Sequence, residues 1–189
     1  MEKLLKVAEN LRTRGFEAIA VSTKEDALKE VLMEAENAES VGWGGSETLK
    51  EIGAREALQN SGKTICDHEL VMDLFLLSAN ALTLDGRIVN IDGRGNRIAA
   101  SIAGPKRVVY VIGRNKLVDG GIDAAIDRIK RFAAAPNCVR LGKNTPCAKT
   151  QRCSSCDSPD RICKVTAIFD RKPTGINAKV VLVNEDLGY

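Results

Sequence analysis

The chain predicts an α/β fold: a parallel-rich central sheet flanked by helices, with a Cys-rich C-terminal insertion. Three features of its 189 residues carry that reading. Helical and strand patterns alternate from residue 1 to 77, which favours parallel strands joined by crossover helices. A glycine-punctuated stretch at 80–118 places a hairpin, a loop, a helix and a buried strand in quick succession. From Pro136 to Cys163 the composition turns to Pro, Ser, Asp, Lys and five cysteines, with no helical or strand period.

Taken in order, Leu4, Leu5, Val7, Ala8 and Leu11 fall at helical spacing, and Arg14-Gly15 closes that helix. Residues 16–21 read as a strand. Thr23, with Asp26 three residues on, marks an N-cap and opens a helix through Ala27, Leu28, Val31 and Leu32. A strand at 40–43 follows. Thr48 and Glu51 form a capping-box pattern for a helix to about Leu58. Residues 64–66 suit a short strand, 68–72 a short helix, and 74–77 a further strand.

In the central stretch, 81–84 and 88–91 are apolar runs parted by Asp85-Gly86, a dipeptide that favours a tight antiparallel hairpin. The loop 92–96 leads into a helix at 97–103 with Asn96 as its cap, and Gly104-Pro105 ends it. A buried strand at 108–112 comes next. An amphipathic helix is expected at 123–134, a loop-rich appendage at 136–163, and strands at 165–169 and 180–183 that rejoin the main sheet or form an edge hairpin. One domain over 1–189, including the insertion at 136–164, accommodates all of this.

Charge and hydropathy narrow the function. A net charge of +3 is too small to suggest nucleic acid. No apolar run approaches the ~20 residues of a membrane helix, so no membrane insertion is expected. The N-terminus is amphipathic and has no signal core, so a cytoplasmic location is expected, where free cysteines suit metal or redox chemistry better than disulfides.

Two strand-to-helix junctions are candidate binding sites. Gly42, Gly44, Gly45, Ser46 and Thr48 can approach a phosphate or carboxylate closely, although the segment departs from the dinucleotide fingerprint. Gly93, Gly95, Asn96 and Arg97, with Arg94, form the second junction, and Lys116 can add a point charge. Asp92 and Asp85 are the candidate catalytic carboxylates, able to move a proton beside a carbonyl; each also suits an ordinary Asp-Gly turn. His68, the lone histidine, and the glutamates Glu47 and Glu69 carry no motif.

The cysteines supply the sharpest chemistry. Cys147, Cys153, Cys156 and Cys163 are spaced C-x5-C-x2-C-x6-C, with Cys138 upstream and Cys66 read as a core residue. Four thiolates suit zinc or an iron–sulfur cluster of the [4Fe–4S] type, and the spacing does not choose between them.

Residues 79–83 (ANALT), Asp92-Gly93 with Gly95-Asn96-Arg97, Gly104-Pro105-Lys106, Gly113-Arg114-Asn115-Lys116 and 133–137 (AAAPN) together resemble the LUD domain of lactate utilisation proteins. The resemblance implies a fold like that of ribose-phosphate isomerases and CoA transferases. It also implies a component of a multi-protein system that oxidises lactate to pyruvate, with redox partner proteins and a small carboxylate or phosphate ligand. Two other expectations stand beside it: an isomerase or transferase for a small phosphorylated or acyl-CoA substrate, and a noncatalytic binding subunit with structural zinc.

Overall fold

The computed structural model describes residues 1–66 and 71–189. Its helices are α1 (Glu2–Thr13), α2 (Lys24–Ala35), α3 (Glu47–Glu51), α4 (Ala54–Asn60), α5 (Asn96–Ile102), α6 (Gly121–Arg128), α7 (Ala134–Arg140) and α8 (Pro146–Thr150). The strands are β1 (Glu17–Val21), β2 (Ser40–Trp43), β3 (Thr64–Cys66), β4 (Leu74–Leu77), β5 (Ala81–Thr83), β6 (Ile88–Asp92), β7 (Arg107–Gly113), β8 (Leu117–Val118), β9 (Val165–Phe169) and β10 (Asn177–Val183).

Six strands form a sheet in the order β1-β10-β7-β4-β2-β3, and every pairing in it is parallel. The period of two along its strands explains the layers. Val108, Tyr110 and Ile112 of β7 join the core that packs α1, whereas Val109 and Val111 join the core beneath α2, α3 and α4. Both faces are therefore apolar, which is why the strands read as continuous hydrophobic runs.

A second sheet, β8-β5-β6-β9, lies over the α1 side. Its hairpin pairs antiparallel, Ala81 with Val89 and Leu82 with Ile88. Leu82 and Ile88 face the main core, while Ala81 and Val89 pack against Ala125, Ile129 and Ala133. The small sheet is thus a middle layer.

Several local expectations need correction. Strands β9 and β10 neither form a hairpin nor share a sheet: β9 pairs antiparallel with β6, and β10 lies between β1 and β7. Ser46, not Thr48, caps α3, its hydroxyl accepting the Leu49 N–H. The helix expected to reach Leu58 breaks at Gly53, whose φ of 71° separates α3 from α4. Asn96 is the first residue of α5 and not its cap; Gly95 takes that place at φ 81° with no side-chain cap bond. Cys66 ends β3 half-buried and outside the hydrophobic core clusters. The helix expected at 68–72 falls largely on residues outside the described part, as do His68 and Glu69.

The helix expected to end at Ala134 instead continues to Arg140, through a π turn at Ile129–Ala133. Pro136 explains both the misreading and the π turn. It has no N–H for the carbonyl four residues back, and its ring crowds that carbonyl, so the preceding turn widens rather than stopping. The Cys-rich appendage begins after Arg140, and α8 is the one further helix within it.

Candidate functional site

A cavity of about 500 Å³ opens where the chain leaves β2, β4, β6 and β7. The carboxyl ends of parallel strands are the usual ligand position in open α/β sheets, because loops there converge without closing the layer. Gly45, Ser46 and Glu47 contribute from the β2–α3 junction, Ser78 and Asn80 from the end of β4, and Asp92, Gly93, Arg94, Asn96 and Arg97 from the β6–α5 junction. Ile129 and Ala133 bring the π turn to its wall, and Asn137 and Arg140 add α7.

Lys116 lies at the cavity's buried side, with only 4 % of its surface exposed. Its Nζ donates to Thr48 Oγ1 at 2.6 Å and to Ser78 Oγ at 2.9 Å. Thr48 donates in turn to the Leu187 carbonyl, at 3.1 Å, so its lone pairs face the lysine. No carboxylate among the described residues lies within ion-pair distance of Lys116. Burial foremost, then the Arg128 and Arg97 guanidiniums, push its pKa down to about 7, against a smaller opposing pull from Glu51.

Asp92 is buried and paired with Arg97, whose Nε donates to it at 2.8 Å. The Ile98 N–H donates to its other oxygen at 3.0 Å. The anion that the β6–α5 loop was expected to attract is therefore, in part, the chain's own carboxylate. Arg97 also donates to Asn80 Oδ1 and to the Ile91 carbonyl, each at 3.1 Å. Asn80 is pinned further, its N–H to Asn90 Oδ1 and its Oδ1 to the Ile91 N–H, and its carbonyl accepts from Arg128 at 2.8 Å.

The structure brings most expected binding residues together. Gly45, Ser46, Gly93, Asn96, Arg97 and Lys116 line the cavity with Asp92, and Thr48 supports it from behind. Gly95 caps α5 beside it. Gly42 serves packing instead: a Cβ there would sit 1.7 Å from Met72 Sδ and 2.8 Å from Phe75. Gly44 is in a similar position, with Arg97 Cγ and Leu77 Cβ each 3.1 Å away. Asp85 does not reach the cavity. It sits in the hairpin turn, salt-bridged to Arg14 and Arg87. Burial raises its pKa, but the Thr83 hydroxyl and those two cations outweigh it and hold the carboxyl low.

Ser78, Arg140 and Lys143 line the site without having been expected there. Ser78-Ala79-Asn80 directly follows the apolar run of β4, and that switch to polar residues is the sequence mark of a strand's carboxyl end. Arg140 and Lys143 carry no such mark, since their place depends on the course of α7.

The cysteines do not gather as expected. Among the described residues, no group of three or more His, Cys, Asp or Glu is placed to hold a metal ion. Cys147 instead meets Cys138, Sγ to Sγ at 3.7 Å, in a small buried cluster with Ala135. Burial pushes the Cys138 thiol up, with Thr145 opposing and Cys147 and Cys163 adding to the rise. Cys153 accepts the Ser155 N–H at 3.5 Å, Ser155 itself having φ 50°. Arg161 ties the Cys156 and Cys163 carbonyls, at 2.9 and 3.1 Å.

Compared with known proteins, residues 4–183 match the model of the LUD domain. The chain belongs to the LUD domain family. Among solved structures, this LUD chain is similar to the crystal structure of a DUF162 family protein from Deinococcus radiodurans, with TM-score 0.60 and 15 % identity over 96 % of each chain. That likeness supports the α/β fold with its parallel central sheet. Ribose 5-phosphate isomerase from Plasmodium falciparum aligns over 59 % of this chain and 67 % of its own, at 12 % identity. Its TM-score of 0.29 is too low to establish a shared fold. No curated protein sequence matches the chain. The family is related to lactate utilisation, and no described helix is long and apolar enough to cross a membrane.

Proposed function

We propose that this LUD domain binds a short 2-hydroxy or 2-oxo carboxylate in the cavity, as a component of a multi-protein system that oxidises lactate to pyruvate. One observation carries the reading. Among the described residues, Arg94, Arg97, Lys116, Arg140 and Lys143 line the cavity against two side-chain carboxylates, Glu47 and Asp92. Both carboxylates are already in ion pairs, Asp92 with Arg97 and Glu47 with Lys50 and Arg140. The cavity thus holds an excess of positive charge that an anion neutralises.

In this reading the exposed cations Arg94 and Lys143 receive the carboxylate, and Lys116 meets the oxygen on C2. A 2-hydroxy acid gives up its hydroxyl proton to the neutral Lys116 amine, while the C2 hydrogen leaves with two electrons to an acceptor. The glycine loop 42–48 carries no dinucleotide fingerprint, so the two-electron acceptor is assigned to a redox partner protein. Cys147, Cys153, Cys156 and Cys163, with Cys138, are the proposed ligands of a separate thiolate centre, iron–sulfur or zinc; an iron–sulfur centre would supply one-electron transfer and zinc only structural order. The Ser155 N–H on Cys153 supports this, because a donated hydrogen bond stabilises a thiolate. As placed, the thiols do not converge on one point, so no step is routed through a metal.

Titration calorimetry with L-lactate, pyruvate, acetate and inorganic phosphate tests the binding. Lactate and pyruvate are expected to bind with 1:1 stoichiometry and more tightly than acetate. Their affinity is expected to fall as pH rises from 6 to 8, since Lys116 loses its proton near 7 while Arg128, lowered by burial only to about 10, stays charged. Phosphate binding alone, with neither acid bound, overturns the carboxylate reading.

A further inference from the structure

The geometry points to a covalent role for Lys116: we propose that its amine condenses with the carbonyl of a 2-oxo acid to form an imine at the buried side of the cavity. This rests on the carboxylate reading above and goes beyond it, because binding an anion needs only a charge.

Three observations favour a nucleophile. First, the lysine has no acidic partner within ion-pair distance among the described residues. The acid whose field reaches it, Glu51, is committed to the Gly188 N–H at 2.8 Å. Second, both neighbouring guanidiniums are fixed elsewhere, Arg97 on Asp92 and Arg128 on the carbonyls of Asn80 and Asn115, so they remain as standing like charges. Desolvation and like charge together favour the neutral amine, as for other nucleophilic lysines. Third, Thr48 and Ser78 orient the nitrogen. A neutral amine has two N–H bonds, and these two hydroxyls accept them at 2.6 and 2.9 Å. The lone pair is left for the cavity, which Lys116 lines.

The reaction balances without a co-reactant. The nitrogen lone pair attacks C2, the carbonyl oxygen becomes a hydroxyl, and loss of that hydroxyl with one proton from nitrogen releases water and leaves the carbon–nitrogen double bond. No electrons are transferred. Ser78 lines the cavity and bonds Lys116, so its hydroxyl can pass the proton, being both donor and acceptor. Thr48 is less suited, its own proton being directed to the Leu187 carbonyl at 3.1 Å, whereas the Ser78 hydroxyl makes only a long bond, 3.4 Å, to the Ala79 carbonyl.

The test is reductive trapping of the full chain with pyruvate and cyanoborohydride, read by intact mass and peptide mapping. A single adduct of about 72 Da is expected, the mass of a reduced pyruvate imine. Reduction at Lys116 blocks tryptic cleavage there, so the modified peptide is expected to run from Asn115 to Arg128. Trapping is expected to rise as pH increases from 6 to 8, opposite to the trend in non-covalent affinity. Lys116→Arg is expected to lower the adduct at least tenfold, and Ser78→Ala to slow its formation several-fold. Site mapping in the unsubstituted protein decides the matter even if Lys116→Arg does not fold. Calorimetric binding of pyruvate with no adduct at Lys116 overturns the imine and leaves the carboxylate reading standing. Neither binding nor adduct overturns both. Adducts spread over surface lysines, with Lys116 unmodified, also overturn the imine.

Discussion

The cavity and the cysteine segment lie side by side, joined where the Lys164 N–H meets the Asp92 carbonyl at 2.9 Å, yet they are ordered by different means. Around the cavity the polar contacts span long stretches of chain: Lys116 to Thr48, Arg128 to Asn80, Gly188 to Glu51. In the segment most are local, such as Thr150 to Pro146, Ser155 to Cys153 and Arg161 to Cys163. Long-range bonds hold a site in place before any ligand arrives. Local bonds leave a segment to take its order from packing or from a bound group.

Breaking the cavity's internal ion pair should give the largest effect. Asp92→Asn leaves Arg97 partly buried without its counter-ion, and removing one member of a buried pair costs about 3–5 kcal/mol. Chemical denaturation is expected to show a loss of that order. An unchanged midpoint would mean that Asp92 is free for proton transfer rather than structural.

The cysteine segment should respond differently. Iron, sulfide and zinc analysis of protein purified without oxygen is expected to find a metal centre, lost in Cys153→Ser, with little change in the stability of the metal-free fold. About four irons and four sulfides per chain identify the [4Fe–4S] type, and one zinc a structural site. Protein free of all three overturns the thiolate centre.

The glycines sharpen the contrast on a smaller scale. Gly42→Ala should destabilise by about 1–3 kcal/mol, because its Cβ overlaps Met72 and Phe75 in a filled core. Nothing lies within 4 Å of a Cβ at Gly45, so Gly45→Val should leave stability within about 0.5 kcal/mol while lowering carboxylate affinity about tenfold. Unchanged affinity in a folded Gly45→Val protein would remove the β2–α3 loop from the site.

Much of this was legible in the chain because it is local. The Asp85-Gly86 turn lies within the β5–β6 hairpin, and Thr23 caps α2 through Asp26 as the spacing implies. That Gly45, Arg97 and Lys116 line one cavity was foreshadowed by the sequence, because each follows a strand. Ser46 and Thr48 exchanged roles for a tertiary reason: either hydroxyl can cap a helix, but Lys116 and the Leu187 carbonyl, far along the chain, engage Thr48. Pro136 misled because a breaker in isolation is accommodated here by a π turn packed on the small sheet.

By itself the sequence determined most of the element types up to residue 128, the hairpin, the glycine junctions and the family likeness, all of which rest on periods and turns within a few residues. The tertiary structure alone decided the strand order, the separation of β9 from β10, the pairing of Cys138 with Cys147, and the burial of Lys116 beside two arginines. The physical reason is that desolvation and charge depend on what arrives from distant chain. A lysine reads the same in sequence whether it is solvated or, as here, enclosed with two hydroxyls beside two arginines.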